Sequence, residues 1–541
     1  MKENHSLATL LLISIIIGSV GLYVANLEPA RFGAYHDDAI YAVTAKALAT
    51  GQGYRIISLP DQPAQTKYPP FYPFLLSLIW RCFPDFPGNL RPLIGLSIIM
   101  AALFLWISYG YLVCRNHSGR GIALLIAALM AINWRIMILA GGLYSELTYM
   151  TLSVLALWAT ERCLEEDKAA LNVAAGSLLG LAFLTRTIGI TLVLSAAVCL
   201  IIHRRYKNLL VVLAVCALFI TPWLLWRHVQ RSPAQTRAAV YYTDYSADFR
   251  AIVEDWRWLP KIISKNLFYM GFIFVPAVSL AMEYDLTNSP FFIPLIVFSF
   301  GLITLGYIRR WFAGARLPEI YIAFYVGMLA LWPYTSYDRF LAPLLPFLLL
   351  YLISQIKRFL PARLSVGSWP TPRAMAALLI SVLLIVLGCP VVYWHIRGAS
   401  NALIGRQVYR DLEQIERPVV DWIRRNTKPT DVILSYRDPV MYLWTARQAT
   451  RSILMPGRAF YAGAPPFTGP EIRVIFDLIR DSQAGYLVVT DNDFDLEFYP
   501  ERMRKGIDKL IGENPWTFEA VYRTPTPFAR IYRIQQGRRS G

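Results

Sequence analysis

Two adjacent carboxylates, Asp37 and Asp38, lie in Tyr35-His36-Asp37-Asp38-Ala39-Ile40-Tyr41, and a third, Glu146, lies in Gly141-Gly142-Leu143-Tyr144-Ser145-Glu146-Leu147. A carboxylate that a hydroxyl can approach serves as a general base. Three cations stand in segments of similar character. They are Lys67 in Lys67-Tyr68-Pro69-Pro70-Phe71-Tyr72-Pro73, Arg186 in Leu184-Thr185-Arg186-Thr187-Ile188-Gly189, and Arg339 in Tyr337-Asp338-Arg339-Phe340-Leu341-Ala342-Pro343-Leu344-Leu345-Pro346. Such cations stabilise charge developing on a phosphate. Each residue also has a plainer reading: Asp37 caps the helix that starts there, Lys67 snorkels to headgroups, and Glu146 offsets a helix dipole.

The elements that must position these residues follow from composition. The chain has 541 residues, 56% hydrophobic and only 16% charged, so its apolar surface needs lipid as solvent and a soluble enzyme is excluded. Apolar runs recur at 7–26, 92–113, 121–139, 147–160, 208–226, 290–308, 318–333, 340–356 and 375–394, most near the length of a bilayer core. A shorter pair, 170–184 and 188–202, meets at Thr185-Arg186-Thr187 as a tight helical hairpin. The first run is a signal anchor that stays attached, not a cleaved peptide.

The net charge of +17 is concentrated in short segments: Arg115 and Arg120; His203 to Lys207; Arg309, Arg310 and Arg316; Lys357, Arg358 and Arg363. By the positive-inside rule these face the cytoplasm, so the charge records topology and not nucleic-acid binding. The segments 27–90, 140–146, 228–289 and everything after 395 then fall outside. The segment 264–282 breaks the alternation and reads as re-entrant or interfacial. The expected fold class is a polytopic α-helical membrane protein of about eleven transmembrane helices, up to thirteen, with a C-terminal soluble α/β domain.

Helical spacing of Val43, Thr44, Ala47 and Leu48 before Gly51 predicts an amphipathic interfacial helix over about 37–50, and Pro70 opens a second over about 70–83. The expected boundary separates a transmembrane domain, 1–396, from an extracytoplasmic α/β domain, 397–541. The latter reads as helix 405–426, strand Asp431–Tyr436, helix 470–482, strand Gly485–Thr490, helix 500–511 and strands near 517–523 and 529–534. It carries no GxGxxG or Walker A sequence. Asp491-Asn492-Asp493-Phe494-Asp495 lacks the glycine and glutamate of a calcium loop and reads as a solvated loop. Six cysteines, all before residue 400 and without CxxC spacing, signal neither a disulfide framework nor a zinc site.

Over about residues 7–356 the sequence resembles the GT-C superfamily of polyprenyl-phosphate-sugar glycosyltransferases, in the branch of lipid A aminoarabinose transferases, protein O-mannosyltransferases and lipopolysaccharide-core galacturonosyltransferases. The acidic pair with an aromatic behind it, Asp37-Asp38-Ala39-Ile40-Tyr41, resembles that family's catalytic motif, with Asp in place of the usual second Glu. Lys67–Pro70, Glu146, Leu184–Gly189 and Arg339–Pro346 resemble its later motifs in the same order.

The resemblance implies an inverting transfer from a polyprenyl-phosphate sugar to a hydroxyl of a glycolipid, glycan or protein, at the outer face of the cytoplasmic inner membrane, in envelope glycan biosynthesis. Asp37 would be the catalytic base with Asp38 and Glu146 beside it. Lys67, Arg186 and Arg339 would bind the donor phosphate, and Tyr41, Tyr68 and Tyr337 would contact substrate. Because the lipid phosphate leaves as a weakly basic anion, one base suffices, unlike the two carboxylates of a glycosidase. No metal ligand set is indicated, although a divalent cation stays open. The rival classes are a transporter or flippase for a lipid-linked glycan and a non-catalytic envelope scaffold. Charges gathered on one face, with no inverted repeat, speak against transport.

Overall fold

A computed structural model describes residues 2–33, 36–231, 236–245, 255–279, 293–314, 316–332, 337–359, 413–454 apart from 415, 470–490, 500–524 and 529–535, together with Phe249 and Asp493. Its first part is a bundle of helices: α1 (Lys2–Ala25), α2 (Asp37–Ala49), α3 (Phe71–Cys82), α4 (Leu90–Cys114), α5 (Arg120–Ala131), α6 (Trp134–Ala140), α7 (Glu146–Glu165), α8 (Ala169–Thr185), α9 (Ile190–Ile202), α10 (Tyr206–Val229), α11 (Arg237–Thr243), α12 (Trp258–Ser279), α13 (Ile293–Phe312), α14 (Leu317–Ala330), α15 (Tyr337–Leu341) and α16 (Leu345–Phe359). Apolar sequence in lipid takes this form because a helix satisfies its backbone groups internally. Among the described residues four helices are long and apolar enough to cross a membrane, or five counting one bent pair. Leu218 of α10 is 72% exposed and Ile17 of α1 is 67% exposed, as lipid-facing side chains are. The chain is a multi-pass membrane protein.

Ten of the eleven expected runs fall on helices, and the eleventh, 375–394, lies outside the described residues. The run 121–139 is broken: the Asn133 side chain accepts from the amides of Arg135 and Ile136 and starts a new helix, bending the pair by 58°. The segment 264–282, expected to be re-entrant or interfacial, continues as far as Ser279 in one unbroken helix, α12. There the Asn266 amide donates to the carbonyls of Leu329, Ala330 and Trp332 and fixes α12 against the end of α14.

The hairpin α8–α9 turns at Thr187–Gly189, as the sequence indicates. A Cβ on Gly189 would stand 2.7 Å from the amide nitrogen of Phe183, so only glycine lets the chain fold back so tightly. On the other face of α8, a Cβ on Gly176 would meet the Val212 carbonyl at 2.6 Å and one on Gly180 the Phe219 Cβ at 2.6 Å. Small residues four apart thus let α8 and α10 approach backbone to backbone.

Helix α7 sets the distance between two polar layers. Glu146 opens it; Glu161, fifteen residues on and so about 22 Å away, accepts from Arg115 at 3.0 Å and lies 3.3 Å from His117. At that end Arg310 donates to the His117 carbonyl and Arg316 to the Arg115 carbonyl. Two of the basic segments, the one with Arg115 and the one with Arg310 and Arg316, are thereby gathered in one layer.

The C-terminal α/β region carries helices α17 (416–426), α18 (Asp438–Thr445), α19 (Pro470–Ser482) and α20 (Pro500–Glu513). Its strands are β1 (Ile433–Ser435), β2 (Ala449–Arg451), β3 (Tyr486–Thr490), β4 (Phe518–Arg523) and β5 (Ala529–Ile534), in the order β2-β1-β3-β5-β4. β1 is parallel to β2 and β3, whereas β5 is antiparallel to β3 and β4. Alternate residues serve the two faces: Ile433 and Val488 pack with Val419 and Ile423, and Leu434 and Leu487 with Leu478 and Ile507. Helix α18 and strand β2 were not foreseen. Asp493, read as part of a solvated loop, is instead buried, its carboxylate accepting from the Thr490 amide at 2.8 Å.

This region is joined to the rest. One apolar cluster runs from Ile40, Val43, Leu76 and Ile57 to Leu434, Val440 and Leu487. The amide of Ala449 also donates to the Ser58 carbonyl at 2.8 Å. Helix α2, expected to lie along the membrane with one polar face, is buried at every position from Asp38 to Ala45. It is packed in protein on all sides, because α3 covers one flank and α18 another. The Gly176→Val variant should lose about 1–3 kcal/mol of stability through forced separation of α8 and α10. Thermal unfolding of the detergent-solubilised protein measures it.

Candidate active site

The first turn of α2 assigns different tasks to its two carboxylates. Asp38 points back into the chain: its Oδ2 accepts from the Gly33 amide at 2.7 Å and its Oδ1 from the Ala39 amide at 2.9 Å. It is 1% exposed, and burial pushes its carboxyl up to about 6 despite the two amide donors. Asp37 is the first helical residue, one place inside the capping position that His36 occupies. Its side chain turns outward, where Oδ1 accepts from the Tyr68 hydroxyl at 2.7 Å and Oδ2 from Arg339 Nη2 at 2.7 Å. Burial raises its carboxyl, but the Arg339 charge and the Tyr68 hydroxyl outweigh it and leave Asp37 below the ordinary carboxylate value.

Arg339 is shared. Its Nε lies 3.6 Å from Glu146 Oε1, and the same oxygen is 2.8 Å from Arg186 Nη1. Arg186 also donates to Ser145 Oγ at 3.0 Å, and that hydroxyl lies 3.1 Å from the Tyr41 hydroxyl. Both guanidiniums flank the Phe340 ring, at 5.2 and 5.0 Å from its centre. Asp37, Arg339, Glu146 and Arg186 thus form one alternating chain of charges, drawn from α2, α15, the start of α7 and the α8–α9 turn.

Lys67 is placed differently from the headgroup-level cation that was expected. It is 7% exposed, its Nζ donates to the Tyr241 carbonyl at 2.9 Å, and it lies 5.1 and 4.7 Å from the ring centres of Tyr241 and Tyr245. An ammonium caged by two aromatic faces and a carbonyl is held, not snorkelling. Tyr245 in turn packs on Tyr68 at 6.2 Å, and Tyr68 on Tyr41 at 5.4 Å, so aromatic rings connect Lys67 to Asp37.

Of the nine expected site residues, Asp37, Glu146, Arg186, Arg339, Tyr41 and Tyr68 come together, Lys67 lies one ring away, and Asp38 faces the Gly33 turn. Tyr337 begins α15, but its side chain lies outside the described residues. Ser145, Tyr241 and Tyr245 were missed. Ser145 could have been found from its position immediately before Glu146; the tyrosines come from a segment without hydrophobic period. Among the described residues no group of three or more His, Cys, Asp or Glu gathers. A divalent cation would find Asp37 and Glu146 each already bonded to arginine.

Residues 67–226 match the family model described as dolichyl-phosphate-mannose-protein mannosyltransferase. No curated protein matches the sequence. Among solved structures the chain is similar to ArnT from Cupriavidus metallidurans in the apo state, with a TM-score of 0.55 and 13% identity over 97% of each chain. The same enzyme bound to undecaprenyl phosphate matches with a TM-score of 0.52 and 14% identity, again over 97% of each chain. The oligosaccharyltransferase of Archaeoglobus fulgidus in the apo form matches with a TM-score of 0.57 and 14% identity, over 98% of this chain and 74% of that one. At these identities the likeness is one of fold: the chain shares the architecture of ArnT and of the archaeal oligosaccharyltransferase.

Proposed function

We propose that this chain is an inverting membrane glycosyltransferase that moves a hexose or pentose from a polyprenyl phosphate to a hydroxyl of a glycolipid, glycan or protein. The observation that carries this reading is the Asp37 carboxylate, turned away from its helix and bonded to an arginine that also approaches Glu146. The likeness to ArnT bound to undecaprenyl phosphate supports a lipid-phosphate donor. The α7 spacing supports a site in the outer leaflet, since the basic layer at its other end belongs to the cytoplasmic side.

In this mechanism Asp37 removes the acceptor hydroxyl proton while the new bond forms to the anomeric carbon and the bond to the phosphate oxygen breaks. The electron pair leaves on the phosphate, and attack from the opposite face inverts the anomeric centre. Arg339, Arg186 and Lys67 stabilise the departing charge, while Tyr41, Tyr68 and Tyr337 contact the sugar or acceptor. Arg339 has two partners to serve. While it holds Asp37 the carboxylate is a weak base; a donor phosphate competes for the guanidinium, and Asp37 becomes more basic as the bond loosens.

Incubation of the purified protein with a panel of polyprenyl-phosphate sugars should show loss of the lipid-linked sugar. The Asp37→Asn variant should lower the rate by about 10²–10⁴-fold with little change in folding. A folded Asp37→Asn protein with near-normal transfer contradicts the assignment.

The Arg339→Met variant should raise the pH at which Asp37 protonates, because the strongest influence opposing burial is removed and only the Tyr68 hydroxyl and the Arg186 charge remain. In the wild type, the stabilisation Asp37 draws from its partners is present above its unfolded value and lost as pH falls through its lowered folded value; the variant shows a smaller acid-side loss. Infrared titration of the carboxylate band, compared with Asp37→Asn, reads the shift.

The region after 397 is assigned to the periplasmic or extracellular side of the cytoplasmic membrane. Protease added to the outer face of oriented membranes should remove it; resistance until the inner face is opened would invert the topology.

A further inference from the structure

The turn that presents Asp37 is gripped from the C-terminal region, and the grip is centred on one arginine. Arg451, the last residue of β2, is 2% exposed. Its Nη1 lies 2.9 Å from Nδ1 and 3.1 Å from Nε2 of His36, the residue directly before Asp37. Its Nε donates to the Ile453 carbonyl at 2.8 Å, and its guanidinium covers the ring of Tyr436 at 4.2 Å and that of Tyr241 at 5.2 Å.

His36 needs such a grip. Its φ of +57° with ψ −45° is a backbone conformation that L residues rarely adopt, so its surroundings must hold it. Burial, with Arg451 and Arg437 adding to it, holds the imidazole well below its ordinary value, so it is neutral and accepts from the guanidinium. Arg437, next to α18, supports the other end of the turn by donating to the Phe32 carbonyl at 2.9 Å. Between them Gly33, at φ +87°, passes so close that a Cβ would meet Val440 at 2.3 Å.

The donor side is held by the same group. Tyr241, which Arg451 covers, supplies the carbonyl that accepts from Lys67, and the adjacent Tyr242 donates to Asp438 at 2.6 Å. A buried guanidinium is costly to desolvate, and an apolar side chain of similar volume would fill the same space. Its contacts have one common result: they fix His36 on one side and helix α11 on the other.

We infer that Arg451 is a positioning residue that sets Asp37 through His36 and Lys67 through Tyr241, so that the C-terminal α/β region is part of the transfer machinery. The inference rests on the glycosyltransferase reading above. It makes the C-terminal region a determinant of catalytic geometry, separate from any acceptor binding it performs.

The test uses the full-length protein with a polyprenyl-phosphate sugar donor, combining steady-state kinetics with amide hydrogen exchange. His36→Leu should lower kcat by about 10- to 100-fold, the cost of a misplaced reacting group. Its donor KM should stay within about threefold of wild type. His36→Asn, which keeps an acceptor oxygen near Nδ1, should recover most of that loss. Arg451→Met should lower kcat and raise donor KM together, because it also releases α11, with faster exchange confined to 32–42 and 236–245. Wild-type kinetics in a folded Arg451→Met protein overturn the inference. So does a loss of kcat matched by faster exchange throughout the chain, or equal losses in His36→Asn and His36→Leu. Should the wild-type protein consume no polyprenyl-phosphate sugar, the transferase reading fails; locally confined exchange in Arg451→Met would still support the clamp, and unchanged exchange would overturn it.

Discussion

The ion pair between Asp37 and Arg339 joins residues 302 positions apart, and it holds only if the start of α2, the short helix α15 and the start of α7 meet at one level. A carboxylate at the rim of an apolar bundle needs a partner, since removing one member of a buried pair costs about 3–5 kcal/mol. This pair is never simply paired or unpaired. Arg339 is also 3.6 Å from Glu146, and Glu146 has Arg186 at 2.8 Å. The chain of alternating charges can therefore lose one contact without stranding a charge. On the proposed reading, a phosphate that takes the place of Asp37 on Arg339 leaves that guanidinium beside Glu146.

The neighbouring carboxylate shows how position selects chemistry. Asp37 and Asp38 are adjacent in one helical turn, yet one faces a tyrosine and an arginine and the other faces two backbone amides. Asp38 closes the Gly33 turn from within, and Arg437 and Arg451 close it from the C-terminal region. The polar layer at the far end of α7 completes the frame, fixing the length over which the bundle helices must register.

Much of this was legible in the sequence because lipid and charge impose strong rules. Ten apolar runs fall on described helices, and the residues at their rims converge because short loops between spans leave few other places for Glu146, Arg186 and Arg339. Strand alternation likewise located β1, β3, β4 and β5. Features that depend on contacts between distant segments were not legible. The three-residue strand β2 exists because it pairs with β1 and accepts support from Ser58. Helix α2 reads as amphipathic but is buried all round, because α18 covers the face assigned to solvent. Lys67 reads as a headgroup-level cation but is caged by tyrosines 174 positions or more along the chain. Which member of the acidic pair turns outward also depends on Gly33, whose amide claims Asp38.

The central claim is that Asp37 performs chemistry and that Arg339 is divided between it and the donor phosphate. Equilibrium binding of a lipid-linked donor to the Asp37→Asn variant tests both parts at once. The neutral amide releases Arg339, so donor affinity should equal or exceed that of the wild type while transfer is lost. Donor binding that weakens in proportion to the lost transfer would contradict the account.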